Sequence, residues 1–382
     1  MEALPEELLD RIVSYVTLSR GDRCLPDRLT LRALSRTSPQ LRRITEPHRY
    51  RVLDFYTQRL DEPQQLAITT SSSAYTRHAT EVLAEIASSA HVSTIPHLLI
   101  ALPKLQVLDL SGTYWLNDSS WLELLQTPSL RTVYLRQFSP QEIYEDMSMN
   151  WEFSNPSINT LHVHMLELET FWVDCDNLRM LPKMFPNIAS LHVRACSGDY
   201  VFCDLNNAVF GYFIYLWRVQ LETTMRNLAF GHTDNNILER YLEAATDVFE
   251  DKGFSAQQLL KHSRLEHLKV DTNCLLPRAV ANRSKALDLS VLPTTLRTLY
   301  LRHVVLIDDT PDPKKKARDV RNREEMACLV RLFVEMRRLK RCTDLVKVSL
   351  ALLVPHELAD VALGIIREAT SRLRVPLDLV LE

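Results

Sequence analysis

The chain has 382 residues, 46% of them hydrophobic, and a formal net charge of −3. That content is globular, the length suits two domains or one elongated array, and the acid-leaning balance argues against a nucleic-acid binder, which carries a basic excess or stripe. Seven glycines, none spaced as GxGxxG or GxxxxGK[ST], exclude nucleotide binding through a glycine-rich loop.

The first elements lie between Leu4 and Tyr50. Leu4, Leu8, Ile12 and Val16 fall four residues apart with Leu9 and Val13 beside them, which predicts an amphipathic helix with a wide apolar stripe. Pro5 fits its first turn, and Glu6, Glu7 and Asp10 suit its positive end. A second apolar helix carries Leu29, Leu31 and Leu34 into Ser35-Arg36-Thr37-Ser38-Pro39; Leu41 and Ile44 extend the series until Pro47 ends it. A piece of about 50 residues is near the lower limit for independent folding, so these leucines must find the rest of the chain or another protein.

The run Leu4-Pro5-Glu6-Glu7-Leu8-Leu9…Ile12…Val16, then Leu29…Leu31-Arg32-Ala33-Leu34-Ser35-Arg36-Thr37-Ser38, then Leu41-Arg42-Arg43-Ile44…Pro47, resembles an F-box. The connection Ser19–Arg28 is longer than is usual in that family, and Leu41 stands near where a tryptophan is common. The resemblance implies docking onto the SKP-type adaptor of a cullin-based (SCF) ubiquitin ligase, with Leu4, Pro5, Leu8, Leu9, Ile12, Val16, Leu31 and Leu34 as the adaptor-binding residues. The plainer alternative is an ordinary helical cap on a larger domain.

Beyond it, Arg51–Tyr56 alternates like a strand, Thr69–Ser73 is a polar break, and Ala79–Ala90 reads as a helix with Val82, Leu83 and Ile86 on one face. A repeat follows. The form LxxLxL begins at Leu105 and recurs, with substitutions, from Leu130, Ile158, Ile188, Leu216, Leu265, Leu296 and Leu345, at intervals of 25, 28, 30, 28, 49, 31 and 49. The two long intervals each hold a predicted helix, Ile237–Phe249 and Glu324–Leu339. Prolines in Leu102-Pro103, Thr127-Pro128, Asn155-Pro156 and Phe185-Pro186 mark loops that feed strands. The series is similar to the irregular leucine-rich repeats that follow many F-boxes, although the asparagine usual after the strand is largely missing. An α/β domain with similar strands would not explain the recurrence.

In such an array the residues between the apolar positions face outward from a concave wall. One row is Asp109, Tyr134, His162, His192, Gln220, Lys269, Tyr300 and Ser349; two residues on come Ser111, Arg136, His164, Arg194, Glu222, Asp271, Arg302 and Ala351. Arg136, His162, His164, His192 and Arg194 form a patch suited to an acidic or phosphorylated segment. The client-binding expectation rests on these with Tyr134, Lys269 and Tyr300; a solvated strand face without a use is the alternative.

Seven cysteines without a CxxC pair read as reduced thiols of a cytoplasmic or nuclear protein. No metal site is expected, since His162 and His164 are only two ligands, and no cofactor. GxSxG, HExxH and the kinase signatures are absent from the sequence, so an enzyme is not expected, though a hydrolase with a scattered site is a third reading. No membrane span or secretory leader is read. The basic run Lys314–Arg323 lies among acids and reads as a solvated insertion ahead of a nuclear localisation signal. Glu357–Thr370 reads as a helix and Val375–Leu381 as a last strand.

The expectation is an α/β chain. A helical F-box would occupy residues 1–50 and a linker with a first strand–helix unit 51–100. Residues 101–382 would form a leucine-rich-repeat solenoid, with parallel strands on the concave side, helices and loops on the convex side, and helical insertions near 235–255 and 308–341. Such a chain would bind the SKP-type adaptor and cullin scaffold at one end and an unknown client protein at the other. A repeat scaffold that recruits no ligase is the runner-up.

Overall fold

The structure, a computed structural model, describes residues 4–20, 23–54, 73–85, 99–100, 102–111, 124–138, 162–170, 180–195, 207–232, 260–271, 274, 292–305, 345–353 and 377–381. The chain divides into two compact units, Met1–His164 and Met165–Glu382. The chain is α/β, with parallel strands and helices.

The first unit opens with helix α1 (Glu6–Ser14), an antiparallel hairpin β1–β2 (Thr17–Arg20, Arg23–Pro26), and helices α2 (Arg28–Leu34) and α3 (Pro39–Tyr50). Asp27 caps α2 by accepting from the N–H groups of Leu29 and Thr30, and Ser38 caps α3 through Leu41 N–H, with Pro39 in the first turn. Val13, Leu31 and Ile44 form a buried core, one residue from each helix, against which Leu9 and Val16 pack. Glu6 takes Arg43, and Asp10 takes His48 at 2.8 Å, so α1 is tied to α3 along its acidic edge.

The long connection Ser19–Arg28 belongs largely to the paired hairpin β1–β2. One expectation is corrected here: the apolar series does not end at Pro47. Helix α3 runs through Pro47 to Tyr50. Proline deletes one backbone donor, and the buried Ile44 and Thr45 together with the His48–Asp10 contact hold the last turn against that loss.

Strand β3 (Val52–Asp54) follows after the single residue Arg51. Helix α4 (Ser73–His78) leads to β4 (Glu81–Glu85), then β5 (Val107–Ser111) and β6 (Thr132–Phe138). Each pairs in parallel with the next, with Leu83 opposite Asp109 and Asp109 opposite Tyr134. The helix expected over Ala79–Ala90 is therefore a strand in its described part. Val82, Leu83 and Ala84 are all buried, and a strand covered on both faces reads as a continuous apolar run that a helix period also fits.

In the second unit β7 (Met165–Thr170), helix α5 (Met180–Met184), β8 (Ser190–Ala195), helices α6 (Asn207–Leu216) and α7 (Arg218–Thr223), and strands β9 (Asn227–His232), β10 (His267–Asp271), β11 (Thr298–Val305), β12 (Lys347–Leu353) and β13 (Leu377–Leu381) follow one another. The strands pair in parallel and in chain order, in a register that puts Glu167, His192, Ala229, Lys269, Tyr300, Ser349 and Asp378 on one row and shifts between β11 and β12 only past Leu301. Their apolar positions point the other way, where the rings of Phe210 and Phe213 of α6 each pack tilted against Phe230 with centroids 4.9 Å apart.

The strands that begin two residues after Leu105, Leu130, Ile188, Leu265, Leu296 and Leu345 stand as the repeat predicts, and β13 matches the last expected strand. Two do not. Of the strand expected over Ile158–Val163, residues 158–161 lie outside the described residues and His162 and Val163 are off any strand; a strand starts at Met165, with the pattern Val163-His-Met-Leu166-Glu-Leu168. Leu216–Leu221 is mainly helix α7; the strand comes later as Met225-Arg-Asn-Leu228-Ala-Phe230. Leu-x-x-Val-x-Leu fits a short helix as well as a strand, and here Gln220 is buried with its Nε2 donating to the Pro182 carbonyl at 2.7 Å. The helices expected over Ile237–Phe249, Glu324–Leu339 and Glu357–Thr370, the insertions near 235–255 and 308–341, and the Lys314–Arg323 run lie outside the described residues.

Candidate functional site

Two surfaces carry the residues singled out by the sequence. The first is the outer face of α1. Leu4, Leu8, Ile12 and Tyr15 share one side of the helix by spacing and are all exposed, Leu8 at 47% and Ile12 at 55%. Leu29, at the start of α2, is 79% exposed. Pro5 is exposed at the N-cap of α1. The helix thus has two adjacent apolar stripes, Leu9, Val13 and Val16 inward and Leu4, Leu8, Ile12 and Tyr15 outward. Of the residues expected to meet a partner, Leu31 is fully enclosed (0%) and belongs to the core, while Leu9 and Val16 pack against that core and Leu34 is half-buried. Tyr15 and Leu29 were missed; heptad-like spacing from Leu4 through Leu8 and Ile12 reaches Tyr15 and would have found it.

The second surface is the outward row of the strands. In the first unit Arg136 is not an open cation. Its Nε lies 3.1 Å from both carboxylate oxygens of Asp109 on the preceding strand, and its guanidinium stands 5.9 Å over the Tyr134 ring. Asp109 is almost wholly buried under it. His162 and His164 lie in the exposed turn before β7, off any strand, where His164 N–H donates to the Arg131 carbonyl.

In the second unit the same device recurs. Glu167, buried on β7, takes Arg194 of β8 at 3.2 Å, with His192 Nδ1 3.9 Å away. Asp271 on β10 is fully buried and takes Arg302 of β11 at 2.9 Å. That arginine reaches back over β9: a Cβ on Gly231 would fall on Arg302 Nη2 and Asp271 Oδ1, so only glycine leaves room for the pair. Lys269 Nζ sits 4.8 Å over the Tyr300 ring. Gln220 and Glu222 are on α7, off the row where they were expected, and Ala229 and Gly231 take those places.

The expected basic patch therefore has a different character. Arg136 and Arg194 are each held by a buried carboxylate, and the charge that cancels Arg194 is Glu167, which the shifted register had hidden. Such pairs are oriented by desolvated partners, and opening one would strand a buried charge. Among the described residues no group of three histidines, cysteines or acids is placed to hold a metal, and no helix is long and apolar enough to cross a membrane. No protein-family model matches the chain, and no curated protein is significantly similar to it.

Proposed function

We propose that the chain is a substrate-recognition subunit of an SCF-type cullin–RING ubiquitin ligase, an F-box followed by irregular leucine-rich repeats. In this reading the outer face of α1 docks on the SKP-type adaptor, and the strand faces hold a client protein. Catalysis belongs to other subunits, and the rate gain comes from holding the client near a ubiquitin-charged enzyme. The chain itself carries no catalytic group, cofactor or metal in this scheme.

One observation carries the reading: Leu4, Leu8 and Ile12 stay exposed although their own helix has a complete inner stripe packed on Leu31 and Ile44. Each leucine or isoleucine that a partner fully covers contributes about 1.5–3 kcal/mol gross, before ordering costs. The exposure of Leu4, Leu8 and Ile12 favours this reading over a scaffold whose F-box-like segment packs on its own body, while the inward packing of Val16 alone would suit either.

The test is capture by a purified SKP-type adaptor. The double variant Leu8→Asp, Ile12→Asp is expected to lose capture while circular dichroism and thermal unfolding stay as in the parent, because neither side chain supports the core. Equal capture by parent and variant, or none by the parent, would remove the assignment.

A further inference from the structure

In the second unit the strands are entered through short segments at residues 225–227, 260–267, 292–298 and 345–347. Backbone bonds align them rung on rung: Glu266 N–H donates to the Arg226 carbonyl, Arg297 to Glu266, and Val346 to Arg297. These segments carry Arg226, Lys261, Arg264 and Arg297, against one carboxylate, Glu266. Glu266 lies 3.7 Å from Arg226 and 3.5 Å from Arg297, so it serves two arginines and neutralises one charge. Lys261, Arg264 and Arg297 are exposed. Neighbouring strands are about 4.8 Å apart, inside the Debye length of ~8 Å at physiological salt, so these charges add. The contrast with the strand face is plain: there each named arginine rests on its own buried carboxylate, whereas among the described residues of these segments Arg226, Lys261, Arg264 and Arg297 stand with one half-exposed acid, Glu266.

We propose that this strand-entry edge is a docking site for an acidic protein segment. An extended chain with carboxylates on alternate residues presents a charge about every 7 Å, a spacing that lets side chains as long as Lys261, Arg264 and Arg297 meet it without displacing Glu266. Nucleic acid is the poorer occupant, since these segments have no Phe, Tyr or Trp on which a base could stack and the chain as a whole is acidic. The site is independent of the ligase assignment, because it lies on strands remote in sequence from α1 and needs no adaptor.

The probe is a fluorescent peptide of alternating glutamate and serine, titrated by anisotropy into the full chain at low and physiological salt. A glutamine-for-glutamate peptide and a single-stranded RNA of equal charge serve as comparisons. The acidic peptide is expected to bind, to weaken steeply with salt, and to weaken about tenfold or more in Lys261→Glu, Arg264→Glu. The milder Lys261→Gln, Arg264→Gln covers the case where the reversal disturbs folding. Binding unchanged in both variants, equal binding of the glutamine peptide, or tighter binding of the RNA at the same residues would overturn the proposal.

Discussion

The helical layer and the strand ladder of the first unit place their apolar side chains by different rules. On β5 and β6, Leu108, Leu110, Val133 and Leu135 are all fully enclosed. On α1 the supply of leucine and isoleucine exceeds what three short helices can enclose. Val13, Leu31 and Ile44 complete a core, and Leu4, Leu8 and Ile12 are left over. An apolar residue is core only where enough neighbours exist to surround it, so the same hydrophobic pattern marks interior in one region and open surface in the other.

The largest expected effect concerns the ladder's polar side. Arg302→Ala takes away the ion-pair partner of the fully buried Asp271 and is expected to destabilise by about 3–5 kcal/mol in urea unfolding. The helical core comes next. Leu31→Ala should cost about 2–5 kcal/mol, whereas Leu8→Ala should stay within about 0.5 kcal/mol; equal costs would erase the distinction between the two stripes. Gly231→Ala should cost about 1–3 kcal/mol, since the new methyl must push aside Asp271, whose Cγ lies 2.8 Å from its position, together with the guanidinium of Arg302.

The smallest effect is a pH dependence at the cap of α2. Hydrogen bonds from the Thr30 hydroxyl and then the Thr30 N–H hold the Asp27 carboxyl below its ordinary value. The folded value being the lower one, the unfolded chain takes up its proton first. The contribution is therefore complete above about pH 4 and fades as pH falls through the folded value. The melting-temperature gap between the parent and Asp27→Ala should be constant near neutrality and narrow in acid.

Much of this was readable from the sequence, and the misses have identifiable causes. Leucines are large and leave a clear two-residue beat, so β5, β6, β8, β10, β11 and β12 were placed to within a residue or two. Where methionine, alanine or phenylalanine fills the beat it fades: Ala79-Thr-Glu-Val82-Leu-Ala84 passed for helix, and Met225…Phe230 passed unseen beside the more regular Leu216…Leu221. Val163 misled in another way, since it ends one acceptable pattern and begins another. Choosing the earlier one put His162 on the face and left out Glu167, and with it the pairing that ties down Arg194. The split within the predicted adaptor-binding set, with Leu8 and Ile12 open and Leu31, Leu9 and Val16 turned to the core, was not legible, because a stripe in one dimension does not say which of its flanks meets a neighbour.

The passage from α3 to β3 has a mechanical consequence. Arg51 alone separates them; its carbonyl accepts from Thr80 and Glu81 at the entry to β4, and Arg28 of α2 donates to the Val52 carbonyl at 2.5 Å. Such a splice has no slack for a swivel. A protein seated on α1 must therefore set the attitude of the first rungs as a handle sets that of its blade, and lengthening the splice with a few flexible residues would let the two turn separately while leaving both intact.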